Sequence, residues 1–304
     1  MLYDRARSLG QLMPRRVVAA VAAVALGGGL WLAAPAGSAL AASPAESSQL
    51  YWGNTATTGP TGTIVEANPD GSGERVIASG QSDPAGLAVS ASHLYWANAV
   101  AGTIVEANRD GADARVIVSG HVGTGGLAVT SSHLYWANIV SGTIVEASLD
   151  GTGAHVIASG QDTPGQLAVT SSHLYWTDNG AGTIMEADLN GSGAHVIASG
   201  QNAPFGVAVD ASHLYWSNEN AATLTGTIVE ASLDGSGAQV IASVQGLPFG
   251  VAVSASHLYW VNAAVSLNPT PPTGTIVEAS LDGSGAHIIA SGQDLPAALT
   301  LGAQ

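Results

Sequence analysis

Cysteine and lysine are both missing from the 304 residues. Without cysteine there is no disulfide, thiol nucleophile, iron–sulfur cluster or thiolate zinc site. Without lysine there is no Schiff base and no Walker-type phosphate loop. Charge is sparse, at 10% of residues, and phenylalanine occurs only twice. All seven basic residues are arginine, and Arg5, Arg7, Arg15 and Arg16 lie in the first sixteen positions. After residue 16, three arginines face 21 acidic residues, a balance of −18. So acidic a body repels phosphate backbones, which excludes nucleic acid as the expected partner. No stretch holds a 3.6-residue apolar period for ten residues, and glycine interrupts every dozen or so, which excludes helical repeats.

The N-terminus has the order of a secretory signal peptide. An arginine-bearing start is followed by an apolar run from Val17 to Ala34, then Pro35, Gly37 and Ser38, then Ala39-Leu40-Ala41 as a small-residue cleavage site. The expected organisation is a signal peptide over 1–41, a short linker over 42–49 and a single domain over 50–304. The mature protein is then expected outside the cytoplasmic membrane, with no membrane insertion after cleavage.

The body is built from repeats. The triplet Leu-Tyr-Trp recurs with its leucine at 50, 94, 134, 174, 214 and 258, a spacing of 40 to 44 residues. Such periods point to propellers or solenoids. Each unit holds four strand-length segments; from Leu134 they are 134–136, 143–147, 155–159 and 166–169. They are β-branched or aromatic, with an Asp-Gly hairpin signal between the second and third. Six units of four make 24 strands. The chain opens on the second strand of a unit and ends on the first, Ala298-Leu299-Thr300-Leu301. The expected fold is therefore all-β: a six-bladed β-propeller of four-stranded antiparallel blades, closed by pairing of the C-terminal strand with the N-terminal blade.

One unit reads Leu174-Tyr175-Trp176-Thr177-Asp178, then Asp188-Leu189-Asn190-Gly191-Ser192, then Pro204-Phe205-Gly206-Val207-Ala208-Val209-Asp210. That order resembles the YWTD (low-density-lipoprotein-receptor class B) repeat over residues 50–304. The resemblance implies a six-bladed propeller with Leu-Tyr-Trp on the second strand. It also implies that the fourth motif residue ties neighbouring strands by hydrogen bonds. Here that residue is Asn54, Asn98, Asn138, Asp178, Asn218 and Asn262. The growth-factor-like modules that flank these propellers in animal receptors are missing, so the chain resembles the secreted bacterial form.

Residues present in every unit are expected to serve the scaffold. The glutamates 66, 106, 146, 186, 230 and 278 read as separate solvated carboxylates, and Arg75, Arg115, His155, His195, Gln239 and His287 as a solvated face. His93, His133, His173, His213 and His257 are expected to cap or stack in a turn. Asp70, Asp110, Asp150, Asp234 and Asp282 fit Asx turns.

Residues that differ between units carry the functional expectation. The gap from the Leu-Tyr-Trp leucine to the next Gly-Thr-Ile glycine is 12, 8, 8, 8, 12 and 16 residues along the chain. The longer loops, 55–61, 219–225 and 263–273, become neighbours once the ring closes. They are expected to share a face with the variable loops that lead into each blade. The expected function is a non-enzymatic binding module for an extracellular protein, a glycan or a cell-wall component, acting as a monomer. Its site is bounded by Phe205, Phe249, Glu219, Asn220 and Asn268, without a required cofactor. A second reading stays open, because propellers such as streptogramin lyases place metal and acid–base groups at the axial mouth. In that reading Asp83, His121, Asp162, Asn202 and Asp294 would hold a divalent cation in a lyase or hydrolase. A third reading is a structural envelope protein.

Overall fold

A computed structural model describes residues 48–55, 61–263 and 274–302. The expected signal peptide, Asn268 and most of the loops 55–61 and 263–273 lie outside the described residues. Within them the chain forms 24 strands in six four-stranded sheets. Blade one holds β24 (Pro296–Leu301), β1 (Leu50–Asn54), β2 (Gly62–Ala67) and β3 (Arg75–Gln81). Blade two holds β4 (Pro84–Val89), β5 (His93–Asn98), β6 (Thr103–Asn108) and β7 (Arg115–Val118). Blade three holds β8 (Thr124–Val129), β9 (His133–Asn138), β10 (Thr143–Ser148) and β11 (His155–Ser159). Blade four holds β12 (Pro164–Val169), β13 (His173–Asp178), β14 (Thr183–Asp188) and β15 (His195–Ala198). Blade five holds β16 (Pro204–Val209), β17 (His213–Asn220), β18 (Thr225–Ser232) and β19 (Gln239–Gln245). Blade six holds β20 (Leu247–Val253), β21 (His257–Ala263), β22 (Gly274–Ser280) and β23 (His287–Gln293).

The protein is a six-bladed propeller. Each innermost strand touches the next, and β24 touches β4, which completes the circle. Closure is non-covalent: β24 runs antiparallel to β1, with Leu50 opposite Leu301 and Trp52 opposite Leu299.

The core lies between blades. Ala88, Tyr95 and Ile104 of blade two pack on Leu127, Leu134 and Trp136 of blade three. The same arrangement recurs at each seam, and at the closing one Trp52 and Leu299 meet Tyr259 and Ile276 of blade six. All six tryptophans and all six tyrosines of the repeat are buried, each burial contributing on the order of 3 kcal/mol. The outer Asp-Gly turn joins this packing. Gly71 has φ +80°, and a Cβ there would collide with the Ile289 carbonyl of the preceding blade. Glycine thus serves both the turn and the close approach. Asp70 accepts the Ser72 amide at 2.9 Å, the expected Asx turn.

A buried indole N–H needs an acceptor. The loop from the preceding blade supplies it. Trp52, Trp96, Trp176 and Trp216 donate from Nε1 to Oε1 of Gln293, Gln81, Gln161 and Gln201 at 2.6–2.8 Å. Asn54, Asn98 and Asn218 donate to the same oxygens at 3.0–3.1 Å. The bonding role implied for the fourth motif residue is therefore present, and it staples blade to blade. Asp178 has no amide to donate, and its Oδ2 instead accepts the Asp162 amide at 3.1 Å.

Between blades two and three the staple is broken. His121 stands where the other seams have glutamine. Its ring meets the Trp136 ring edge-on at 5.4 Å, and Trp136 Nε1 has no partner.

Two outcomes are expected. Deleting residues 296–304 exposes both the open edge of β1 and the apolar face of Trp52, so chemical denaturation loses its single cooperative transition; an unchanged transition would contradict closure through β24. His121→Gln restores an acceptor to Trp136 and stabilises the fold by about 1 kcal/mol, measured as a raised urea midpoint at constant slope.

Candidate functional site

The two ends of the propeller differ. At one end sit the Asp-Gly turns and the histidine turns, nearly the same in every blade. At the other, the loops leading into each blade meet the loops between second and third strands, as the amides of His121, Gln161 and Gln201 on the carbonyls of Gly102, Gly142 and Gly182 show. The expected sharing of one face by these two loop sets is therefore present.

The constant end corrects one expectation and adds to another, since the outer-strand residues 75, 115, 155, 195, 239 and 287 are exposed as expected but also bond the glutamates. The repeat glutamates are separate, one per blade, but they are not solvated: their side chains are only 8–15% exposed. Each faces the buried tyrosine of its blade; Tyr135 donates to Glu146 at 3.1 Å and Tyr259 to Glu278 at 3.0 Å. Burial, with the neighbouring carboxylate adding to it, pushes the hydroxyls of Tyr95, Tyr135 and Tyr175 up to about 12. The second glutamate oxygen meets the residue opposite it on the outer strand. Arg75 and Arg115 form ion pairs there, His155, His195 and His287 stand at 3.4–3.5 Å, and Gln239 donates at 3.1 Å. What alternates at that position is a donor for the glutamate. The histidines before Leu-Tyr-Trp lie tilted beside the repeat tyrosine rather than stacked on it: the His133 ring lies 6.4 Å from Tyr135 at 50° and bonds Ser132 at 2.8 Å.

At the variable end the innermost strands present Ala85, Gly125, Gly165, Phe205, Phe249 and Ala297 at matching positions. The two phenylalanines are half-buried and meet edge to face, with centroids 4.9 Å apart. Buried hydroxyls of the preceding blades hold their backbone. Thr177 donates to the Phe205 carbonyl and Ser217 to the Phe249 carbonyl, both at 2.7 Å. Ser217 also accepts the Gly206 amide at 2.8 Å. The corresponding residues elsewhere are Gly53, Ala97, Ala137 and Val261, so a hydroxyl occurs only where a phenylalanine follows.

At the next position of the innermost strands blade four has Gln166, where other blades have Gly or Ala. Its Nε2 donates to the Ala85 carbonyl at 2.7 Å. Blades four and two are not neighbours, so this bond reaches past blade three. Gly126, on the strand between them, has Gln166 so close that a Cβ would collide. Gln166 had a readable signal as the one long polar residue at an otherwise small position.

The extra residues of blade five do not form the loop expected over 219–225. They lengthen the hairpin: Glu219 pairs with Gly226 and Asn220 with Thr225, since four added residues continue the ladder. Asn220 spends its side-chain oxygen on the Ala222 amide at 3.1 Å, which shapes the turn. Glu219 is 6% exposed and its Oε1 has no hydrogen-bond partner among the described residues. Burial pushes its carboxyl up to about 8.

The five residues of the metal reading are dispersed around the ring. His121 packs on Trp136, Asp83 is half-buried with its carboxyl pushed up by desolvation, and Asp162, Asn202 and Asp294 are exposed. Among the described residues no three His, Asp or Glu side chains are grouped to hold a metal ion. Several of these loops are strained instead. Asp83, Thr163, Ala203 and Leu295 have φ of 45–60°, and each precedes a proline. The twist aims their carbonyls at the amides of Ala99, Asn179, Glu219 and Thr55.

A patch that sequence reasoning missed lies over blades two and three. Val100, Val122 and Val140 are 50–65% exposed. They adjoin through Gly102, which abuts Val122, and Gly123, which abuts Val140. The available signal was a β-branched residue in a tight turn, where Asn, Gly or Asp is usual. The three arginines of the described chain, Arg75, Arg109 and Arg115, lie toward the other end, beside the Asp-Gly turns. The variable end carries Asp83, Asp162, Asp178, Glu219 and Asp294 among its described residues.

The chain matches no protein-family model and no curated protein. Among solved structures it is similar to a chain in the crystal structure of a nidogen/laminin complex, with 18% identity and a TM-score of 0.71 over 84% of this chain and 98% of that one. The likeness establishes the fold and agrees with the propeller expected from the repeats. No helix among the described residues is long and apolar enough to cross a membrane.

Glu219 predicts a pH effect of definite sign. Its folded value lies above the ordinary 4.5, so between those two values the folded state binds the extra proton and stability falls as pH rises. Glu219→Gln is expected to be more stable than the native protein above pH 8, by on the order of a few kcal/mol, and equal to it near pH 4. Parallel stability curves for the two proteins across that range would show that Glu219 does not titrate as a buried group.

Proposed function

We propose that the protein is a secreted, non-enzymatic binding propeller of the bacterial YWTD-like kind, a monomer that holds an extracellular protein on its variable end. The observation that carries this reading is the exposure of Val100, Val122 and Val140, each 50–65%, on adjoining turns of a hydrogen-bonded scaffold. Exposed apolar patches on rigid frames are partner surfaces. A protein partner suits the surface better than a glycan, because sugar rings stack on aromatic faces and every repeat tryptophan and tyrosine is buried. The similar chain comes from a complex between two proteins, which is compatible with this use of the fold. The acidic balance of this end favours a partner with basic residues at its contact. No specific observation favours the lyase or hydrolase reading. Secretion rests on the leader sequence.

A photo-activated cross-linker at Val100 or Val140 is expected to capture one protein from the source cells' extracellular fraction, and the same group at Ser72 or Ser236 to capture none. The captured partner, purified, should lose binding to Val100→Asp and Val140→Asp, each still folded by near-ultraviolet circular dichroism. Equal capture from both ends, or unchanged binding by both variants, would sink the reading.

A further inference from the structure

The seam between blades five and six contains an inconsistency that a ligand would resolve. Along β17 side chains alternate between faces. Trp216 and Asn218 both turn to Gln201, while Ser217 turns to the Phe249 carbonyl of the next blade. Glu219 follows two residues later on that same face. Blade four shows one use of this position, which holds Thr55, Ala99, Ile139 and Ala263 in the remaining blades. There Thr177 bonds the Phe205 carbonyl, and Asn179 donates from Nδ2 to the Pro204 carbonyl at 3.2 Å. Glu219 occupies the place of Asn179 one blade on. A donor has thus been exchanged for a carboxyl, and its Oε1 is buried without a partner. A buried lone carboxyl destabilises a fold, so its presence at the variable end, on the face of β17 whose Ser217 holds the Phe249 carbonyl, calls for a function.

We propose that this seam receives a lysine side chain of the partner protein, with the ammonium against Glu219 and the methylenes against Phe205 and Phe249. The inference rests on the protein-binding reading above. A cation is favoured because the variable end carries five acids and no arginine among its described residues. A metal ion is disfavoured because it needs several oxygen or nitrogen ligands, and no such group surrounds Glu219 among the described residues. An ammonium is a compact point charge suited to one open acceptor, whereas a guanidinium is matched to a planar, bidentate one. Aromatic rings add both apolar contact for the stem and attraction for the charge.

The test uses the full chain with its glutamate carboxyl carbons labelled, titrated with N-acetyl-lysine amide and, separately, with N-acetyl-norleucine amide at equal ionic strength. The lysine amide is expected to shift the resonances of Glu219, Phe205 and Phe249 and to lower the Glu219 titration midpoint by about one unit or more. The norleucine amide, which lacks the ammonium, should leave that midpoint in place. Glu219→Gln, which preserves shape, should weaken the lysine amide by at least about tenfold. Phe205→Leu should weaken it less and leave the midpoint of the free protein unchanged. Equal responses to the two amides, or equal affinity in Glu219→Gln, would overturn the proposal. The cross-linked partner separates the two readings. A partner that binds Glu219→Gln as tightly as the native protein overturns the lysine site and leaves the protein-binding reading standing. If no partner is captured, that reading falls and with it the lysine's source.

Discussion

The ring depends on one repeated interaction, the buried tryptophan of each blade and, in four of the six, the glutamine that the preceding blade sends to its indole nitrogen. The ring must be buried because it fills the seam, and the nitrogen must be bonded because the seam is dry. The acceptor comes from another blade, so no blade is complete alone and the set is stable only as a circle. The closing seam uses the same device across the ends of the domain, with Gln293 of blade six bonded to Trp52 and Asn54 of blade one. A fold with no cysteine thereby joins its termini through packing and hydrogen bonds. The departure at His121 gives up one such bond.

This constraint also separates scaffold from function. At the constant end the carboxylates are used up locally, each between a tyrosine and an outer-strand donor. At the variable end the loops are held as firmly, through strained residues before proline whose carbonyls bond the adjoining strands. Variation there includes length, as in the extended hairpin of blade five, and side chains: phenylalanine in place of alanine or glycine, glutamine at an otherwise small position, valine in exposed turns, a buried glutamate. Each departure is unfavourable or neutral for the fold, which is why these positions and not the invariant ones carry the functional reading.

Legibility followed the repeat. The strand count, the antiparallel meander, the circular order of the first and last strands and the sharing of one end by the variable loops were all readable, because six copies with matching turns leave few ways to bury their aromatic rings. Phe205 and Phe249 could be paired from their matching Pro-Phe-Gly setting. The role of Arg75, His155 and Gln239 could not, because their partner lies on an adjacent strand and interchange of residue types resembles solvation. The insertion at 219–225 looked like a loop, since a gap in a repeat does not reveal that its residues will extend a ladder.

By itself the sequence determined the architecture. Period, turn chemistry and the placement of buried aromatics are local or repeating properties, and they admit one closed solution. Tertiary structure alone decided which side chains meet. The bond from Gln166 to Ala85 joins strands two blades apart, the valines of blades two and three become one surface only through the seam, and Glu219 becomes a buried carboxyl only because the alternation of β17 turns it toward blade six. Such contacts depend on distance through space between residues far apart in the chain, which one linear pattern does not encode.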